Sequence, residues 1–413
     1  MEKEKIIIVH LNLNESDQVV DSKLKELEEL ARSANCLPIA QVIQNADSIN
    51  PSTYIGSGKA REIRDMKESL GFDAVIFNNE LTGSQMKNLE DIIDCKIVDR
   101  TGLILDIFAR RARTREAKLQ VGLAQLEYRL PRLMGFRNYL SREGAGIGTR
   151  GPGEQKLETD RRIIQREISR IRRQLKDTKE KRMIKSNRRR ASALPIVSLI
   201  GYSNAGKSTI LNALTGKYSQ MDKKVYSDDL LFATLDVSAR KIKLDNDKEI
   251  IVTDTVGFVS DLPTKLIESF KGSLEEIEIS DLLVVVVDAN NKDYESQIDA
   301  TRKVLKDMDI GEKKILYCFN KIDLNPDFKY FSTGDEVIYI SAKNDDVKYL
   351  AKKLEDMLYE DYAYHRVKIS YENLDSFLKE GLRVFNLQYT NFGLEGDIYI
   401  KKDQVERYGK YLL

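Results

Sequence analysis

The chain has 413 residues, 41% of them apolar and 32% charged, with a formal net charge of +1. That is enough for two to four domains and for sizeable buried cores in a soluble protein. The longest apolar run, LLVVVVDA at 282–289, is too short to cross a bilayer, and MEKEKIIIVH lacks the layout of a signal peptide. Cys36, Cys95 and Cys318 are dispersed, and His10 and His365 are the two histidines. No zinc spacing can be built from these, so reduced thiols in a cytoplasmic protein are expected.

Along the chain, KIIIVHLNL (5–13), CLPIAQVI (36–43), FDAVIFN (72–78) and CKIVD (95–99) read as strands. Amphipathic helical segments lie between them, so residues 1–110 are expected to form an N-terminal parallel α/β domain. A long helix is expected from Thr101, with that threonine as N-cap. Leu119, Leu123, Leu126, Leu130 and Leu133 recur at steps of four and three, and Ile164, Ile168, Ile171 and Leu175 repeat the pattern beyond the glycine-rich GAGIGTRGPGEQK. Two such seams predict an antiparallel helical hairpin over 111–190. KEKRMIKSNRRRASALP (179–195) reads as its frayed end and a linker.

The net charge conceals an asymmetry. Residues 110–190 carry 25 basic and 9 acidic side chains, an excess of +16, so the remainder carries −15. The arginines lie mostly off the seams and point outward. A nucleic acid or another anionic partner is expected for this segment, against the simpler reading of a solvated helical face.

From Pro195 the alternation resumes: PIVSLIG, KEIIVTDT, DLLVVVVDA, KKILYCFN and DEVIYISA read as strands of a second α/β domain, 194–362. The tail, 363–413, reads as strand, helix and strand in a small α+β unit. The whole is an α/β multidomain protein.

Four motifs fall at strand ends. GYSNAGKST, from Gly201 through Tyr202, Ser203, Asn204, Ala205, Gly206, Lys207 and Ser208 to Thr209, fits G-x-x-x-x-G-K-[ST] between a strand and a helix. Backbone amides of such a loop cradle phosphates, Lys207 would reach the β- and γ-phosphates, and Ser208 would ligate Mg²⁺. DTVG, Asp254, Thr255, Val256 and Gly257, would hold Mg²⁺ through water at Asp254 and touch the γ-phosphate through the Gly257 amide. NKID, Asn320, Lys321, Ile322 and Asp323, would read guanine: Asp323 accepts from N1–H and the exocyclic amine that adenine lacks, while Asn320 and Lys321 buttress the base and the P-loop. SAK, Ser341, Ala342 and Lys343, would offer the Ala342 amide to guanine O6. Thr234, in the long stretch before DTVG, is the candidate for a γ-phosphate-dependent Mg²⁺ ligand; it could instead merely start the next strand. TYIGSGK (53–59) lacks the first glycine and ends in Ala60, so it reads as a loop opening a helix, with weak nucleotide contact as the minor alternative.

In this order the pieces resemble the P-loop G domain of translation-factor-related GTPases, and the chain from about residue 5 to 365 resembles the HflX family. TYIGSGK, GAGIGTRGPGE with KLETDRR, DTVGF, and FATLD (Phe232, Ala233, Thr234, Leu235 and Asp236) match that family's pattern. The resemblance implies a GTPase that binds the large ribosomal subunit and its rRNA, splits stalled ribosomes under stress, and is stimulated by the ribosome. Arg142, Arg150, Arg161, Arg162 and Arg166 would then contact RNA phosphates. The second reading is a signalling or scaffolding switch whose basic helices bind a protein or an anionic membrane surface. A monomer is expected.

DTVGF ends in Phe258, where a Ras-like GTPase carries a glutamine that orients water. Either hydrolysis is lost, or catalysis comes from Lys207, Gly257 and Asn204. Asparagine at position 204 resembles GTPases in which K⁺ bridges the phosphates; the plainer reading is a loop-stabilising amide.

Overall fold

The computed structural model describes residues 3–143, 152–191, 194–218, 238–244, 248–255, 257–259, 277–307, 313–332, 334–344, 346–379 and 384–413. They form two compact units, divided at Thr178.

In the first unit, β1 (Glu4–Asn12), β2 (Cys36–Asn45), β3 (Ala74–Phe77) and β4 (Lys96–Asp99) make a parallel sheet in the order β2-β1-β3-β4. Ile6, Ile7, Ile8 and Val9 are all buried, as a central parallel strand requires. The crossovers are α1 (Asp17–Ser33), α2 (Ser57–Leu70) and α3 (Gly83–Ile93). Helix α1 buries Val20, Leu24, Leu27 and Leu30 at helical spacing. TYIGSGK opens α2: Gly56 is its N-cap, and the Gly56 amide donates to Gln44 Oε1 at 2.9 Å.

The next helix, α4 (Arg100–Arg111), is capped by Asp99 rather than Thr101. Asp99 Oδ1 accepts from the Gly102 amide at 2.8 Å, while Thr101 is buried inside the first turn. The helix does not run on into the hairpin. It stops at Ala112, whose backbone is extended, and Thr114 Oγ1 accepts from the Ala117 amide at 3.1 Å to start α5 (Arg115–Glu143).

Asp99 also joins the hairpin to the sheet. Its carboxylate accepts from the Leu81 amide (3.0 Å), Tyr128 Oη (2.5 Å) and the Arg132 guanidinium (2.7 Å). The guanidinium stacks 3.4 Å from the Tyr128 ring centroid. Helix α3 meets α5 so closely that a Cβ on Gly83 would lie 2.5 Å from Arg132 O. Helix α6 (Pro152–Ala191) runs on to Ala191, well into the 179–195 segment read as a frayed end and linker. The two seams pack as expected: Leu123, Ile168 and Ile171 form a buried cluster flanked by Leu119, Leu126, Leu130, Ile164 and Leu175.

The second unit holds a six-stranded sheet, ordered β10-β9-β8-β5-β7-β6. Its strands are β5 (Ile196–Gly201), β6 (Ser238–Lys243), β7 (Glu249–Asp254), β8 (Leu282–Asp288), β9 (Lys314–Asn320) and β10 (Glu336–Tyr339). All pairs are parallel except β6 with β7. Helices α7 (Lys207–Tyr218) and α9 (Val347–Tyr359) cover the core around Val197, Leu211, Val252, Val284 and Leu354, and α8 (Tyr294–Asp307) lies between β8 and β9 in sequence. The tail is a three-stranded antiparallel sheet, β11 (Tyr362–Ser370), β13 (Gly393–Lys401) and β12 (Phe385–Thr390), with α10 (Tyr371–Lys379) between β11 and β12 in sequence. Strand β12 was not expected: FNLQYT is mostly exposed at a sheet edge and carries no inward-outward alternation.

Candidate functional site

The strand order reverses at β5, with β7 on one side and β8 on the other, and ligands of open α/β sheets bind at such a point outside the carboxyl ends of the strands. The motif residues stand there. Gly201 ends β5 in a conformation reserved for glycine, φ 132°; a Cβ would meet Val286 O at 2.3 Å. Asn204 has φ 67°, the left-handed conformation asparagine tolerates. Lys207 opens α7, yet its ammonium is turned back and buried. It donates to Gly201 O (3.1 Å) and Tyr202 O (2.8 Å), and burial pulls its pKa down to about 8, against a raising influence of Asp254.

Ser208 Oγ donates to Asp254 Oδ2 at 2.6 Å, linking the P-loop to the end of β7. Two oxygen donors, one a fully buried carboxylate, suit a hard divalent cation such as Mg²⁺, which takes few protein ligands and keeps phosphates and waters for the rest. Among the described residues no group of three His, Cys, Asp or Glu side chains could hold a metal without such help. Gly257 lies against the P-loop: a Cβ there would sit 2.7 Å from Ser203 Cα and 2.9 Å from Lys207 Nζ. Phe258 is buried, its amide donating to Gly201 O (3.1 Å) and its carbonyl accepting from Ser203 N–H (2.6 Å). Thr255 Oγ1 donates to Leu199 O at 2.8 Å.

The base-reading loops are braced by Asn320. Its Nδ2 donates to Ala205 O at 2.9 Å, and its Oδ1 accepts from the Ala342 amide at 3.0 Å. The amide expected to face guanine O6 is therefore directed at Asn320 in this structure. Lys321, at φ 62°, pairs with Asp288 at 2.8 Å. Ile322 N–H donates to Ile340 O at 3.2 Å, and Asp323 stands exposed in a single 3₁₀ turn. The Ser341 amide donates to Asp346 Oδ2 at 2.9 Å, and Lys343 is exposed. Val256 and the stretch from Phe232 to Asp236, Thr234 included, lie outside the described residues.

Three family profiles match in succession: "GTP-binding GTPase N-terminal" over 21–109, "GTP-binding GTPase Middle Region" over 111–189 and "50S ribosome-binding GTPase" over 196–321. "GTPase HflX" of Caldanaerobacter subterraneus subsp. tengcongensis is 42% identical over 415 residues, covering 100% of this chain and 94% of that protein. The chain belongs to the HflX family of GTPases. The Escherichia coli (strain K12) "GTPase HflX" is 37% identical over 372 residues, covering 89% of this chain and 85% of its own. A GTP-binding protein from the archaeon Sulfolobus solfataricus, solved in complex with GDP, is 23% identical over 85% of this chain and 99% of its own, at a TM-score of 0.43.

As an HflX GTPase the chain binds and hydrolyses GTP on a P-loop fold. On the hairpin, Arg162 and Arg166 are exposed and Arg161 is half-exposed; Arg161 and Arg162 both pair with Glu158, at 3.9 and 3.2 Å. The side chain of Arg142, and Arg150 altogether, lie outside the described residues. No helix among the described residues is long and apolar enough to cross a membrane. Asn320 was expected to buttress the base and the P-loop, and here it joins Ala205 to Ala342; the turned-back Lys207 and the Asp99 junction were not expected from the sequence. The junction partners of Asp99 lie 18 to 33 residues away in sequence, and those of Lys207 are backbone carbonyls five and six residues back, which side-chain types do not announce; only the buried Asp at a strand end offered a signal.

Proposed function

We propose that this GTPase works on the ribosome, binding the large (50S) subunit and splitting stalled ribosomes. The observation that carries the reading is the helical hairpin: its seams are closed against each other, so its +16 excess is left for an external polyanion. The family description of residues 196–321 as a 50S ribosome-binding GTPase supports the same partner. Four parts divide the work: 1–110 and the hairpin of 111–190 dock, 194–362 switches, and 363–413 reports or receives.

In the switch, the amides of Ser203 to Thr209 cradle the phosphates and Lys207 leaves its carbonyls for the β- and γ-oxygens. Mg²⁺, when bound, neutralises charge on those oxygens; Ser208 and Thr234 would hold it directly and Asp254 through water. Asp323 takes guanine N1–H and the exocyclic amine, with Asn320 and Lys321 as braces and Ser341 to Lys343 closing over the base. Asn204 would hold K⁺ as a further positive charge. With no side chain at 258 able to orient water, intrinsic turnover is slow and the ribosome raises it.

The test is GTP turnover with and without purified 50S subunits, beside co-sedimentation in GDP or a non-hydrolysable GTP analogue. The expected result is stimulation, analogue-dependent pelleting, and release at raised salt. Pelleting with anionic liposomes while 50S leaves turnover unchanged would refute it.

A further inference from the structure

Strands β6 and β7 run from the nucleotide end of the sheet to its far end. Strand β6 starts at Ser238, four residues after Thr234, and β7 ends at Asp254. They pair antiparallel from Ser238–Asp254 to Lys243–Glu249. At a strand's rise, Glu249 is about 17 Å from Asp254.

The far end of β7 has a partner that is not a strand. The Ile251 amide donates to Pro195 O at 2.9 Å, the last rung before β5 runs out. Two residues earlier, Glu249 faces the same side. There the hydroxyl of Tyr359, the last residue of α9, takes the next place in the ladder. Tyr359 Oη donates to Glu249 O at 2.7 Å and accepts from Glu249 N–H at 3.2 Å. One hydroxyl thus serves both backbone groups of one residue. Beside it, Lys248 Nζ lies 2.8 Å from the buried carboxylate of Glu355, and over the rings of Tyr359 and Tyr399 at 5.0 and 5.3 Å.

The rings continue into the C-terminal sheet. Tyr359 meets Tyr362 at 4.8 Å and Tyr399 at 5.8 Å, and Tyr399 meets Tyr364 at 5.6 Å and Phe385 at 5.7 Å. The end of β7, helix α9 and all three strands of the tail are therefore one packed block. Its opposite end is the carboxylate that accepts from Ser208.

We propose that Tyr359 is a positioning residue for the GTPase site: its hydroxyl holds β7 in place, so that Asp254 and Gly257 keep their station against the P-loop, and it ties the C-terminal sheet to the nucleotide state. Packed elements move together rather than deform one by one, so an adjustment of β7 on exchange of GDP for GTP reaches β11 through this ring cluster. Nothing in the aromatic packing requires the hydroxyl; the ladder does.

The test uses the full chain with Tyr359→Phe, which keeps the ring and removes both hydrogen bonds, and Tyr362→Phe as the ring control. Hydrogen–deuterium exchange of residues 362–370 is compared between GDP and a non-hydrolysable GTP analogue, and kcat and KM for GTP are measured. In the natural protein exchange at 362–370 should differ between the two nucleotides. Tyr359→Phe should lose at least half of that difference and change kcat threefold or more, with KM within twofold; Tyr362→Phe should do neither. If Tyr359→Phe does not fold, Lys248→Met loosens the same block and should shift both readouts in the same direction. Identical exchange at 362–370 in both nucleotide states overturns the proposal. So does a Tyr359→Phe protein that melts earlier but keeps kcat and the exchange difference.

Discussion

Asn320→Asp is the sharpest perturbation of the site's bracing. The change is almost isosteric. It keeps the oxygen that accepts from the Ala342 amide (3.0 Å) but replaces the donor facing Ala205 O (2.9 Å) by a second acceptor. The position is buried, with a relative exposure of 2%, so water cannot repair the loss. A lost hydrogen bond of about 1 kcal/mol and an unsatisfied buried carbonyl at about 1–3 kcal/mol sum to roughly 2–4 kcal/mol. Because the brace joins groups of the protein itself, the cost falls first on stability: Tm should drop by about 5–15 °C at roughly 2–4 °C per kcal/mol for a domain of this size. Since Ala205 belongs to the P-loop and Ala342 to the base-closing loop, GDP affinity should also fall, by at least about tenfold, or 1.4 kcal/mol. A carboxyl in this setting is pushed toward its neutral form by burial, and its O–H would restore a donor toward Ala205 O. The defect should therefore shrink as pH is lowered from 8 to 6, and Asn320→Ala should show no such recovery. Calorimetric titration with GDP across that pH range, beside thermal melts, gives all three numbers. GDP affinity within threefold of the natural protein at pH 8 would refute the bracing argument.

The ammonium of Lys207 carries a distinct pH signature. Its folded pKa of about 8 lies below the unfolded value of 10.5, so the unfolded chain binds the extra proton between those limits and nucleotide-free stability from this group rises with pH there, by up to about 3 kcal/mol. Denaturant titrations from pH 7.5 to 10.5 should show that slope in the natural protein, should lose it in Lys207→Met, and should lose it again with GDP bound. Asp99→Ala removes the nearer carboxylate from the Arg132 guanidinium, 11% exposed, and leaves it Glu80 at 3.3 Å, at a cost of about 1.5–3 kcal/mol for the lost charged hydrogen bond; a melting transition unchanged within 2 °C would show that the junction contributes little. GTP turnover should be severalfold faster in K⁺ than in Na⁺, and Asn204→Ala should equalise the two; equal rates in the natural protein would remove the cation from the mechanism.

The parts of this structure that were legible in the sequence are those whose signal is local. Apolar runs such as IIIV and LLVVVV mark strands buried on both faces, and the motifs hang on the ends of those strands. Gly201, Lys207, Ser208, Asp254, Gly257 and Asn320 therefore come together as the spacing predicts. The helix start at Arg100 was misplaced because Thr101 is an acceptable cap in isolation; Asp99 wins since its carboxylate is held at the strand end by Leu81, Tyr128 and Arg132. The single hydroxyl of Tyr359 on β7 bridges 110 residues of sequence, and no periodicity announces it.

Phe258 shows why the position that holds glutamine in Ras-like GTPases is not waiting for one. Backbone groups on both sides of it are committed to the P-loop, Phe258 N–H to Gly201 O and Ser203 N–H to Phe258 O, in an isolated parallel bridge between Tyr202 and Phe258. That pairing fixes which way the side chain points, and the residue is buried, with a relative exposure of 3%. A glutamine there would follow the same direction and bury an amide at a cost of about 1–3 kcal/mol if it found no partner. Phe258→Gln should therefore lower Tm and leave basal GTP turnover no faster than in the natural protein. A gain of tenfold or more in single-turnover hydrolysis would mean that the bridge opens when GTP binds and that the side chain at 258 does reach the attacking water. Short of that result, the ring belongs to the core and its backbone to the P-loop, so water must be placed by groups other than this side chain.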